Sequence, residues 1–361
     1  MREFPKTLSL LKREYWGVKT NTLLLVILLA FPMTFGFMFG TFTNIIPKNA
    51  PAAVFPEAGA TGEDVSSAED ILSFFSKTSV EPEFNERKLF REEYYFFVGV
   101  PKGFRRGDGE VDVYIDASMS PIAEISPYVK DMILYEFSKV FDWEPRINII
   151  KLGSDVLPFQ YFVPGVIILL TSVVGLIILP FSSSRDRLVF GRVLANVSVP
   201  AFVTSKLVFA VMLALIQLGI LVITQLAAGA SGSTILDINV WSLSVICCSA
   251  VFFASAGMSV MFLTRFSEAG KQINAGLLGF VLMFSGAFYP VGFFPSIPGV
   301  GDLLQSISRA NPSYLFVLLM RGFGIRGLGP ELFTDYIAAI VVWSIASILL
   351  FAYTVRRMKN D

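Results

Sequence analysis

The sequence contains no histidine, which removes at once the commonest general base and the commonest metal ligand. It has only two cysteines, Cys247 and Cys248, side by side in an apolar run. Adjacent positions on a helix point in different directions, so these two read as packing residues and form no disulfide framework. No G-x-x-x-x-G-K-S/T phosphate loop occurs, so nothing in the chain cradles ATP phosphates in the usual way. The glycine-rich Gly322-Phe323-Gly324-Ile325-Arg326-Gly327 follows no strand and reads as a turn before the last apolar run.

Apolar residues make up 54% of the 361 positions, with 35 Phe and a mean hydropathy of +0.64. A soluble chain of this composition would expose large apolar patches and aggregate, so lipid is the expected solvent. Six segments hold the roughly 20 apolar residues that cross a bilayer at about 1.5 Å each. They are Thr22–Thr43, Phe159–Phe181, Ala201–Ala227, Trp241–Leu263, the short Ile273–Phe288, and Tyr336–Val355. The first follows a basic segment but is too long for a signal peptide and has no small-residue cleavage site after it, so it reads as a retained span. Tyr289-Pro290-Val291-Gly292-Phe293-Phe294-Pro295 is apolar but broken by proline and glycine, which suits a re-entrant or interfacial element.

Orientation follows from Lys and Arg. The N-terminus, Ser182–Pro200 with Lys206, Thr264–Gln272 and the C-terminus hold about 14 Lys/Arg against about 5 Asp/Glu. The remaining segments hold about 15 against about 24, so the first set is expected on the cytoplasmic side, with both termini. Between the first two spans, Asn44 to Pro158 has ordinary soluble composition and an acidic balance, enough for one small domain. Tyr94–Val100 and Val111–Ile115 read as strands and Pro121–Phe141 as an amphipathic helix, which gives a mixed α/β domain. Ahead of the first span, Phe4, Leu8, Leu11 and Tyr15 recur at helical spacing among Lys6, Lys12, Arg13 and Lys19. That pattern predicts an interfacial helix over residues 1–21, with Trp16 at headgroup depth.

The six spans carry almost no Asp, Glu, Lys or Arg, unlike the ion-coupled transporters that hold ionisable groups at mid-membrane. Gln217, Gln225 and Asn274 read as interhelical hydrogen-bonding residues. Any transport must therefore draw its energy from elsewhere. An intramembrane protease is a poor alternative, since neither histidine ligands nor carboxylates stand in the spans.

Several stretches, in order, resemble the permease subunits of ABC-2 type transporters, the group that includes daunorubicin-type drug efflux and polysaccharide export. Leu11-Lys12-Arg13-Glu14-Tyr15-Trp16 and a span with Phe31-Pro32, Gly36 and Gly40 look like the family's interfacial helix and first span. Phe97-Val98-Gly99-Val100-Pro101-Lys102-Gly103-Phe104, then Val113-Tyr114-Ile115-Asp116, resemble members with a large outer domain. Phe284-Ser285-Gly286-Ala287-Phe288-Tyr289-Pro290 through Pro295, then Ala310-Asn311-Pro312-Ser313-Tyr314 and Arg321, match the family's "S-G-x-x-x-P", second Pro, "N-P-x-x-Y" and Arg. One stretch departs: Ser184-Arg185-Asp186-Arg187-Leu188-Val189-Phe190-Gly191 lacks the usual Gly-Thr pair, and Asn196 stands near the expected Pro.

The resemblance implies an all-α bundle of six transmembrane helices with an inserted α/β extracytoplasmic domain, the ABC-2 (type V exporter) architecture. It divides the chain into interfacial helix 1–21, first span 22–43, outer domain 44–158 and remaining spans 159–361, with an inner loop 182–200 and an outer re-entrant element 289–321. Lys12, Glu14 and Trp16 would belong to the interfacial helix, and Pro290, Pro295, Asn311, Pro312 and Arg321 to the outer element. Arg185, Asp186, Arg187, Leu188 and Arg192, in the longer of the two inner loops, would meet the ATPase. The chain itself would be no enzyme and hold no cofactor: ATP and Mg²⁺ would sit on a separate ATP-binding cassette subunit. Its partners would be that ATPase, a second copy or similar permease, and membrane lipid, with no nucleic acid, in a prokaryotic cytoplasmic membrane. The expected cargo is an apolar or amphipathic compound: drug-like, lipid or lipid-linked glycan. A non-transporting sensor or mechanotransmitter working with an ATPase is the alternative.

Overall fold

A computed structural model describes residues 50–360, apart from 74, 76, 107–108, 142, 154–157, 186–197, 228–237, 289 and 297–299. The expected interfacial helix and first span, and Asp186, Arg187, Leu188 and Arg192, lie outside the described residues.

The first described region is α/β. Strands β1 (Pro51–Pro56), β2 (Lys77–Val80), β3 (Phe96–Val100), β4 (Glu110–Asp116) and β5 (Arg146–Leu152) form one sheet in the order β2-β1-β3-β4-β5. All neighbours are parallel except β3 and β4. Side chains alternate across the sheet with the period of two that a strand imposes. Ala52 and Val54 of β1, with Phe96 and Val98 of β3, enter the main core; Ala53, Phe55 and Phe97 enter a second, smaller one. Helices α1 (Gly62–Leu72) and α3 (Ser120–Ser138) cover the first face, and the short α2 (Glu86–Phe90) with Phe84 covers the other. Because β3 is buried on both faces, it reads as an uninterrupted apolar run. Helix α1 starts on a capping box: Asp64 N–H donates to the Thr61 hydroxyl, and the Asp64 carboxylate accepts from Thr61 N–H.

The rest is helical. Helix α4 (Pro158–Val173) runs through a π-helical stretch, Val174–Ile178, into α5 (Leu179–Arg185). Then come α6 (Val199–Ala227), α7 (Val240–Leu263), α8 (Glu268–Phe284), α9 (Gly301–Ala310), α10 (Pro312–Gly324) and α11 (Thr334–Asn360). Among the described residues, four helical stretches are long and apolar enough to cross a membrane: Gln160–Ser183, Val199–Ile223, Val240–Leu263 and Pro330–Asn360.

The fifth expected span, Ile273–Phe288, is displaced. Its helix, α8, has 17 residues, begins at Glu268 and stops at Phe284. It stops because Gly286 turns the chain into the left-handed region at φ +68°, open to glycine at little cost. A 3-10 turn, Val291–Ser296, then leads to α9. The chain bends again at Asn311, whose side chain accepts from Ser313 N–H at 3.0 Å, with Pro312 at the first helical position of α10.

Helix α7 lies at the centre of the bundle, against α4, α6, α10 and α11. It crosses α4 at the π-helical stretch, where Gly175 and Gly257 meet: a Cβ on either would run into the other helix's backbone. Asn274 of α8, fully buried, donates to the Gly257 carbonyl at 3.1 Å, the interhelical role its type suggests. The buried residues of the α/β core run on into those of the bundle without a break.

Candidate functional site at the domain–bundle junction

Where the α/β domain meets the helices, four charged side chains are buried together. Arg321 comes from α10 and Arg326 from the turn after it; Glu92 follows α2, and Asp116 ends β4. Glu92 stands between the two arginines, 3.4 Å from Arg321 and 3.3 Å from Arg326. Arg326 also pairs with Asp116 at 2.7 Å, while its other nitrogens donate to the Ser118 hydroxyl and the Phe90 carbonyl, each at 2.8 Å. The side chains of all four are at most 3% exposed, so water screens none of these contacts.

The bundle side completes the site. Arg321 donates to the Gly286 carbonyl at 2.7 Å, which ties α10 to the break after α8. Its guanidinium lies over the Tyr161 ring of α4, 3.8 Å from the centroid, a desolvated cation–π contact. Tyr95, beside β3, accepts from Gly292 N–H at 2.9 Å, and a side chain on Gly292 would collide with that ring. Around the rim, Arg87 donates to the Leu332 carbonyl at 3.0 Å, Arg91 pairs with Asp335, and Arg91 lies 4.1 Å over the Tyr336 ring.

The local chain is shaped to make this possible. Glu92 takes φ +59°, a conformation that costs a non-glycine residue roughly 1–2 kcal/mol. Burial raises the Asp116 carboxyl above its ordinary value, and Arg326 with the Ser118 bonds opposes that rise. Well-packed apolar side chains would stabilise such a junction as well as ions do, so the charges contribute specificity: they fix which part of the domain meets which helix. The two acids neutralise the two arginines. Pulling the two bodies apart would leave buried charges unpaired, so the network ties the domain to the helices.

Of the residues expected in the outer element, Arg321 is at the centre of this junction, Asn311 and Pro312 form the elbow that sets α10, and Pro290 precedes the 3-10 turn that contains Pro295. Arg185 is the last residue of α5. The glycine-rich stretch requires a correction. Gly322–Gly324 belong to α10, where Gly322 gives room to the Phe333 ring, and the turn proper starts at Ile325. Arg326, within that turn, is a buried ion-pair residue. Sequence reasoning also missed Glu92, Tyr95 and Tyr161, and named Asp116 only as part of the family-like stretch Val113–Asp116.

Apolar helices of spanning length, joined to an α/β domain through buried charge, define a multi-pass membrane protein without a catalytic constellation in this site. The chain belongs to the ABC-2 family of transporter proteins: the model described as "ABC-2 family transporter protein" matches residues 22–355. It is therefore a permease, the transmembrane subunit of an ABC transporter. Neither a curated protein nor a solved structure matches the chain.

Proposed function

We propose that this chain is the permease of an ATP-driven exporter with six spans, both termini in the cytoplasm and the α/β domain outside. The described helices alternate in direction. Tyr161 of α4, Asn239 before α7, Gly286 after α8 and Asp335 of α11 meet the domain or the α10 end beside it, whereas at the other end Ser183 meets Lys206 of α6, Phe181 meets Lys271 of α8, and Arg265 after α7 shares a cavity with Arg357 of α11. Arg265, Lys271, Arg356, Arg357 and Lys359 cluster at that far end, which supports a cytoplasmic assignment by the positive-inside rule. The first span and the 17-residue α8 bring the count to six.

An ATP-binding cassette subunit would bind the far end through the loop around Arg185, Asp186, Arg187, Leu188 and Arg192, with Lys12, Glu14 and Trp16 nearby. ATP and Mg²⁺ would sit there, not on this chain. Two copies, or this chain and a similar one, would form the pathway, and the segment 289–321, with Pro290, Pro295, Asn311, Pro312 and Arg321, would cap its outer end. Spans almost free of charge suit an apolar or amphipathic cargo: a drug-like compound, a lipid or a lipid-linked glycan.

The observation that carries most weight is the match over 22–355 together with the locked junction. The junction also favours a second reading, in which the domain relays strokes of the ATPase without any cargo crossing. Transport of a labelled amphipathic probe by vesicles containing chain and ATPase separates the two. Export requires ATP-dependent accumulation of the probe; ATPase turnover with no accumulation of any amphipathic probe fits relay. Topology is tested with a cysteine replacing the exposed Lys130 on α3. Labelling from outside supports the orientation, and labelling only from the cytoplasm reverses it.

A further inference from the structure

Helix α10 fixes the depth of the elbow that precedes it. Near its end the Phe323 ring lies 6.3 Å from that of Trp241, and the Phe323 carbonyl accepts from the Asn239 side chain at 2.7 Å. Trp241 is half-exposed at the domain end of α7, where an aromatic ring marks headgroup level. Seven residues before Phe323, Phe316 meets Phe252 and Phe253, which stand eleven and twelve residues after Trp241. The two helices therefore run side by side in opposite directions. Asn311, twelve residues before Phe323, lies roughly 18 Å below that rim. The hydrocarbon core is about 30 Å thick, so the elbow reaches its middle third.

The elbow is nonetheless polar. Arg309, in the last turn of α9, is exposed, and among the described residues it has no ion-pair or hydrogen-bond partner. A charged side chain at that depth faces a bundle interior or a water-filled path and marks a functional site by default. Gln305 stands one turn before it on the same face of α9. Val300 and Ile307 take the opposite edge, so one edge of the helix suits lipid and the other a polar space.

The neighbours of Arg309 are donors to spare. Gln305, Ser308, Asn311 and Ser313 are each at most 8% exposed, yet Gln305 Nε2, Asn311 Nδ2 and both hydroxyls have no hydrogen-bond partner in the protein. The Asn311 amide is oriented by its oxygen, which accepts from Ser313 N–H, so its uncommitted end is the NH₂. Two amide NH₂ groups, two hydroxyls and a guanidinium within nine residues call for acceptor oxygens. The acid on the same helix, Asp302, is seven residues from Arg309, roughly 10 Å along the axis.

We propose that Arg309, with the Gln305 and Asn311 amides, binds the anionic head of an amphipathic cargo, a phosphate or a carboxylate, as it passes the outer half of the bilayer. This rests on the exporter reading and narrows its cargo to compounds with a negative head. A guanidinium pairs with two oxygens of such a head at once, which an uncharged head does not offer.

The test titrates the full chain, in nanodiscs of phosphatidylcholine, with three fluorescent dodecyl probes that differ only in the head: phosphate, hydroxyl or trimethylammonium. Binding above that of empty nanodiscs should be tightest for phosphate. Arg309→Gln should weaken the phosphate probe roughly ten-fold or more and move the hydroxyl probe by less than about two-fold. Arg309→Lys, which keeps the charge but not the fork, should recover part of the loss. Because Arg309 is exposed, the variants should unfold at the wild-type temperature. Should Arg309→Gln not fold, Arg309→Lys and a salt titration of wild type take its place, and phosphate-probe affinity indifferent to both overturns the proposal. Equal affinity of wild type for the three heads, no binding of any, or an unchanged phosphate affinity in Arg309→Gln overturns it too. So does displacement of the phosphate probe by millimolar inorganic phosphate, which would make a soluble anion the ligand. Loss of all three probes with a changed oligomeric state would give Arg309 to an acid of a second copy and end the proposal. ATP-dependent accumulation of the hydroxyl probe without head selectivity would sink this assignment and leave the exporter reading standing. Head-selective binding without accumulation of any probe would do the reverse.

Discussion

Helices α6 and α10 invert the usual relation between hydropathy and burial. In α6 the best apolar window has a mean hydropathy of 2.5, yet only 17% of it is buried within the chain. In α10 every residue from Ser313 to Gly324 is buried, although the helix carries Arg321. Lipid explains the inversion. A helix facing hydrocarbon must be apolar all round, while a helix enclosed by protein can hold a charge if the protein supplies its partners. So Ile216, Ile220 and Ile223 are 54–67% exposed on α6, while Arg321 is 1% exposed on α10. Of the four spanning stretches α6 is the least buried, while α10, which carries a charge, is enclosed along nearly its whole length.

The contrast can be broken most forcefully at the charge. Glu92→Ala leaves both guanidiniums of the junction short of a partner, and removing one member of a buried pair costs about 3–5 kcal/mol. The loss should fall near the upper end, read as a lower unfolding temperature of the detergent-solubilised chain. A change within about 0.5 kcal/mol, the surface-substitution level, would mean that the charges are solvated.

Next in size is a matched pair of truncations. Phe316→Ala on α10, where Phe316 is fully buried against Phe252 and Phe253, should cost about 3–4 kcal/mol. Ile220→Ala on α6, 58% exposed, should stay within about 0.5 kcal/mol. Similar losses at the two positions would show that α6 packs against protein, such as a second subunit, over that face.

The smallest effect belongs to the α/β domain, where an ordinary water-facing cap applies. Thr61→Ala should cost about 1 kcal/mol. The Thr61 N–H, chiefly, holds the Asp64 carboxyl below its ordinary value. A carboxyl lowered in this way contributes stability that is full above its unfolded value and is lost as pH falls through the lower folded value. Between those two values the stability of Asp64→Asn should therefore fall less steeply with falling pH than that of wild type, because the variant starts without that contribution. An unchanged acid limb would show that Asp64 is not held down.

The legible parts of this fold are those with local rules. Lipid demands a long apolar run, so the helices that became α4 with α5, α6, α7 and α11 stood out, and Pro290 announced a break after α8, although the expected span ran past Gly286 to Phe288. The alternation in β4 and the cap-like Pro121 located the middle of the domain. Strand β1, Pro-Ala-Ala-Val-Phe-Pro, was not seen, because proline at both ends and two alanines give it little strand character. The junction was hardest. Glu92 sits in Arg91-Glu92-Glu93, which reads as water-facing charge, and its partners arrive 229 and 234 residues later. Arg326 was hidden among glycines. Family motifs pointed to Arg321 but not to the acid opposite it, since a pairing between distant segments leaves no spacing in one sequence.

The tie between domain and bundle is tested most directly by a double-mutant cycle on Glu92→Gln and Arg321→Gln, read as unfolding free energy of the full chain in one detergent. Each single substitution should destabilise, and the double should lose at least about 1 kcal/mol less than their sum, because residues of one network couple. Losses that add within about 0.5 kcal/mol would mean that the two charges do not hold the domain to the helices.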